Sequence, residues 1–138
     1  MGNGTIRILI VEDVPDVARH LRGLVAEQRD LELLDIVRDG ATALARLQEL
    51  APDVVVVDSL VRGPVQLHEV LAALRDRGIP AIVIKLEKMK GTADPGQGIS
   101  AVLSMPFTGY QLMSAISRSV GAGSSGERSR GRIVAVAG

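Results

Sequence analysis

Carboxylates stand where two apolar runs of this chain end. Residues 6–12 read IRILIVE and are followed by Asp13, while residues 53–58 read DVVVVD. A buried strand gains nothing from a terminal carboxylate, so Glu12, Asp13 and Asp58 are the residues whose type and placement could do chemistry. Gathered in one crevice, three like charges repel and raise one another's proton affinity unless a cation neutralises them. Mg²⁺ suits such a set, because it is a hard cation that takes a few carboxylates and keeps several waters. A metal-bound carboxylate there could accept a phosphoryl group, the metal neutralising the developing charge. The plainer alternative is that Asp13 caps a helix and Asp58 merely ends its strand.

Other reactive residue types offer less. His20 and His68 fall on different expected helices without partners at metal-ligand spacing, and read as structural histidines. Ser59 lacks the Gly-x-Ser-x-Gly frame of a nucleophile elbow. The glycine-rich GAGSSG (121–126) follows no strand and precedes no Gly-Lys-Ser/Thr, so it is not a phosphate loop. KLEKMK (85–90) reads as a small basic, solvated face. With no cysteine, disulfides, thiolate metal sites and cysteine nucleophiles are excluded.

The elements that must position the acids follow from periodicity. Residues 6–12, 31–37, 53–58, 80–86 and 99–104 are short, nearly continuous apolar runs, as in strands buried on both faces. Pro15 suits the first turn of a helix running to about Gln28, with Val14, Val17, Leu21, Leu24 and Val25 inward. Asp39 and Gly40 open a second helix that Pro52 stops. A third spans about 65–77. The last, 108–120, begins with Thr108 and Gln111 at capping-box spacing. Between the fourth and fifth strands the segment 87–98 holds Gly91, Pro95, Gly96 and Gly98, which oppose a helix.

Strands alternating with helices predict an α/β fold: a doubly wound, five-stranded parallel sheet of flavodoxin-like type, with the fourth helix short or replaced by loop. Its functional crevice should lie beyond the carboxyl ends of the strands, at a topological switch point. That rule brings Glu12, Asp13, Asp58, Lys85 and Met105 towards one another. The 138 residues suit one such domain over 1–120. Residues 121–132 have linker composition, and IVAVAG (133–138) reads as the first strand of a further, truncated domain.

ILIVEDVPDVARHL, DGATALARLQELAPDVVVVD, GIPAIVI and MPFTGYQL, in that order, resemble the receiver (CheY-like) domain of bacterial two-component response regulators over about residues 5–120. The resemblance implies phosphorelay signalling, with Asp58 at the phosphoacceptor position. It implies Mg²⁺ held by Glu12, Asp13, Asp58 and the main-chain carbonyl of Leu60, and a histidine kinase as phosphate source. Three positions depart from the pattern: Lys85 replaces the hydroxyl residue ending strand four, Met105 the lysine before the proline after strand five, and Val102 the aromatic switch residue. Lys85, or Arg62 four residues beyond Asp58, could supply the missing cation or lock Asp58 in a permanent ion pair. GRIVAVAG also resembles the opening strand of ParA/MinD-type ATPases, relatives of which serve pilus assembly.

Three readings remain. One is a phosphoaccepting receiver; another is a non-enzymatic pseudo-receiver that docks or dimerises on behalf of a covalently linked C-terminal domain. The third, an anion binder using the same crevice, is opposed by three carboxylates. A net charge of zero, from 16 basic and 16 acidic residues, argues against nucleic acid or anionic lipid as partner. No apolar stretch approaches a membrane span, and the N-terminus lacks a signal peptide's apolar core, so a cytoplasmic location is expected.

Overall fold

The computed structural model describes residues 5–61, 63–86 and 99–124, without the side chains of 86 and 122–124. Ile6–Val11 (β1), Leu31–Val37 (β2), Val54–Asp58 (β3), Ala81–Leu86 (β4) and Ala101–Met105 (β5) form one parallel sheet in the order β2-β1-β3-β4-β5. Four helices connect or follow them: Pro15–Ala26 (α1), Gly40–Glu49 (α2), Leu67–Asp76 (α3) and Gly109–Ser124 (α4). The expectation for 87–98, and those for Arg62 and for 125–138, lie outside the described residues.

Continuous apolar runs fit this sheet because alternate side chains serve opposite faces. Ile8, Ile10, Val54, Val56, Ile82 and Ile84 pack with Leu21 and Val25 of α1 and Leu112 and Ile116 of α4. Leu9, Val11, Val55, Val57 and Val83 pack on the other side with Leu47 of α2 and Val70 and Leu74 of α3. The chain steps from β1 outward to β2, then returns past β1 to β3 on its far side. The switch point is therefore between β1 and β3, whose register runs from Ile8 opposite Val54 to Val11 opposite Val57.

Local signals set the helix starts. Asp39 Oδ1 accepts from the Thr42 amide at 2.8 Å and caps α2, which holds the Asp39 carboxyl below its ordinary value. Ahead of α4, the Thr108 amide donates to Gln111 Oε1 and the Gln111 amide donates to Thr108 Oγ1, the reciprocal box its spacing predicts. A second box, Gln66 with Glu69, starts α3.

Two boundaries differ from expectation. Val14 is the N-cap of α1 and is 42% exposed instead of inward, because its amide turns back to Glu12. α4 runs to Ser124, four residues beyond 120. Once its packed face is anchored, extending a helix by a turn costs little even through glycine. In β2, Leu33 opposes Ile8 and Asp35 opposes Leu9, so Leu34 is an extra residue in a bulge. That bulge resets the alternation, placing Ile36 against the α1/α4 side and Val37 on the α2/α3 side.

Candidate functional site

The β1–β3 register extends one step past its last pair, from Val11 and Val57 to Glu12 and Asp58. Both acids continue the series that faces α1 and α4, Ile8–Ile10 on β1 and Val54–Val56 on β3. Sequence alternation and strand adjacency thus place their carboxyls together at the switch point. Glu12 is 2% exposed. Its Oε2 accepts from the Val14 amide at 3.1 Å, and its Oε1 is buried without a hydrogen-bond partner. Burial, then the neighbouring Asp58 carboxyl, pushes the Glu12 pKa from 4.5 up to about 8, against the lowering effect of the Val14 amide. Near neutral pH the pair therefore carries a proton.

Asp58 is half-buried, and its Oδ1 accepts from the Leu60 amide at 2.9 Å, closing a local turn at the end of β3. Leu60 itself is 47% exposed. Asp13 does not cap α1, whose N-cap is Val14 with no side-chain cap. Nor does Asp13 complete a metal cage: among the described residues, no three acidic or imidazole side chains gather closely enough to hold one ion. The expected triad is a pair.

An unpartnered carboxylate oxygen facing a second carboxylate is a donor set that suits a small hard cation, or a proton in its place. Glu12 and Asp58 fit that role; Asp13 is not gathered with them.

Among the described residues, the cations in ion pairs are elsewhere. Ion pairs join Arg7 to Asp53, Arg19 to Asp16, and Arg46 to Asp35 and Glu49. None joins Lys85 to Asp58. The sheet explains why: Asp58 is in register with Ile84, so Lys85 falls on the α2/α3 side with Ala81 and Val83. Ser59, whose amide donates to the Ile84 carbonyl at 2.8 Å, is its nearer register neighbour. Met105, at the end of β5, packs half-buried against the α1/α4-side core, and Val102 packs against the opposite one. His20 and His68 are exposed on α1 and α3, away from the pair.

Solved structures with this fold include receiver domains. The signal receiver domain of the response regulator NarL from Mycobacterium tuberculosis superposes with a TM-score of 0.73 over 81% of this chain and 93% of that one, at 20% identity. The response regulator domain of Thermotoga maritima CheB gives 0.69 over 83% and 95%, at 21% identity. The chain has the receiver fold. In sequence it is 29% identical over 79 residues to a protein-glutamate methylesterase/protein-glutamine glutaminase of Anaeromyxobacter dehalogenans, which is 57% of this chain and 23% of that protein. The chain thus spans about a quarter of the curated relatives it matches. No family model matches.

On the receiver fold, Asp58 and Glu12 stand at the switch-point positions where the sequence resemblance puts phosphoacceptor and metal acid. That Glu12 and Asp58 meet at the strand ends was legible from element order and the switch-point rule. The turn between Asp58 and Leu60, and the orphaned Glu12 oxygen, had no sequence signal.

Proposed function

We propose that this chain is a receiver-type signalling module that acts by docking or dimerising within a larger protein, without an ordinary phosphorylation switch. One observation carries the reading: among the described residues no cation pairs with Asp58, and the position resembling the receiver lysine holds Met105, packed into apolar core. A thioether cannot balance the charge of an acyl phosphate. Lys85 lies on the α2/α3 side of β4 and makes no ion pair with Asp58. The opening-strand resemblance of residues 131–138 makes a ParA/MinD-type ATPase the proposed linked domain. Methylesterase activity does not transfer, because the matched span is a minor part of those proteins.

The second reading, a phosphorylation-competent receiver in a two-component phosphorelay with a histidine kinase, is favoured by the surviving Glu12–Asp58 pair. Mg²⁺, where bound, would be held by Glu12, Asp13 and Asp58 with the Leu60 carbonyl, and would supply charge neutralisation at the Asp58 carboxylate. Glu12 orients that carboxylate and must release its proton for the metal to enter.

Intact mass after incubation with Mg²⁺ and acetyl phosphate, beside Asp58→Asn, separates the two. The docking reading expects no phosphoryl adduct under conditions that label an ordinary receiver. An adduct absent only from Asp58→Asn would establish the phosphorelay reading instead.

A further inference from the structure

At the opposite end of the sheet from Asp58, the strand beginnings and the ends of α2 and α3 enclose a groove of about 410 Å³, open on one side. Its walls include the aliphatic Leu47, Leu50 and Ile79, and its polar groups include Arg7, Asp53 and Arg77. The five residues of β3 separate it from the acid pair by roughly 16 Å at about 3.3 Å per residue.

The charges in the groove do not cancel. Asp53 Oδ2 accepts from the Arg7 amide at 2.8 Å and lies 3.7 Å from the Arg7 guanidinium. Its one negative charge is thereby committed to Arg7. Arg77 is exposed and makes no ion pair among the described residues. The groove therefore presents one unbalanced, bidentate-capable cation beside an aliphatic wall. A carboxylate matches the guanidinium fork, and aliphatic groups match the wall. An open groove that needs both at adjacent positions suits an extended protein segment.

We propose that this basal groove docks a segment of a partner protein in which acidic and aliphatic residues alternate. The segment's carboxylate sits on Arg77 and its aliphatic side chains on Leu47, Leu50 and Ile79. The inference rests on the docking reading above for its purpose, and gives that reading a surface independent of the acid pair. Such a surface would engage its partner whatever the state of Asp58.

The test is a ¹H–¹⁵N titration of the full chain with an acetylated hexapeptide alternating Glu and Leu, against the same peptide with Lys for Glu. The acidic peptide should shift the amides of Arg7, Leu50 and Ile79 in a saturable way, and the basic one should not. Arg77→Glu should weaken binding about tenfold or more, with Arg77→Gln intermediate and both spectra otherwise unchanged. Shifts centred on Glu12 and Asp58, equal binding of the basic peptide, indifference to Arg77→Glu, or no shifts at all would each overturn the proposal. Phosphoryl labelling of Asp58 would retire the docking reading and leave these shifts standing, so the two failures are distinguishable.

Discussion

At the scale of residues, the molecule turns on Glu12. The fold accepts its protonated form: the carboxyl is buried, has an oxygen without a partner and has a second carboxyl beside it, and these outweigh the amides of Val14 and Asp13. A group whose folded pKa is raised contributes stability that is fully present below its unfolded value. Here that contribution is lost as pH rises from about 4.5 through about 8. In divalent-free buffer the urea midpoint should fall across that window. Glu12→Gln, which stays neutral, should remain flat and be more stable than the parent at pH 9 by about 2–4 kcal/mol. A parent that gains stability towards pH 9 would contradict this placement of Glu12. Met105→Lys asks a matching question of the missing cation. It should allow acetyl phosphate to label Asp58 where the parent is not labelled, read by intact mass. The acids were readable because they end apolar runs. That no third acid joins Glu12 and Asp58 closely enough to complete a metal set was not, since it depends on the backbone path beyond the end of β1.

Elements hold these residues through a few local devices. Gly40 starts α2 where a Cβ would lie 2.7 Å from the Val65 carbonyl oxygen and 3.0 Å from a Val65 methyl. Gly40→Ala should therefore push the 63–66 loop away and destabilise by about 1–3 kcal/mol, seen as a lower urea midpoint with unchanged slope. Thr108→Ala removes one arm of the α4 capping box and should cost about 1 kcal/mol. That box, the Asp39 cap and all five strands were legible because each is a short-range pattern. The crowding at Gly40 was not, since it arises from a loop 25 residues away in sequence. The bulge at Leu34 also escaped notice: LELLDIV reads as one strand, and the extra residue appears only against β1. Asp39 and Gly40 marked the start of α2 correctly.

For the whole molecule, strand order and alternation together explain why two carboxyls meet at the switch point. The switch point needs only β1 beside β3, and those strands are fixed by the two-sided valine and isoleucine core. Met105 packs half-buried against that core at the end of β5. The fold class was legible from element order, whereas the side of the sheet that Lys85 takes required the register. No described helix is long and apolar enough to cross a membrane. The central claim is that this receiver fold holds a fixed conformation instead of switching. The most direct test is the ¹H–¹⁵N spectrum of the full chain before and after Mg²⁺ with beryllofluoride, a phosphoryl mimic. The account predicts changes confined to residues around Glu12, Asp58 and Leu60. Shifts that spread through β5 and α4 would show that the switch is intact, and would contradict it.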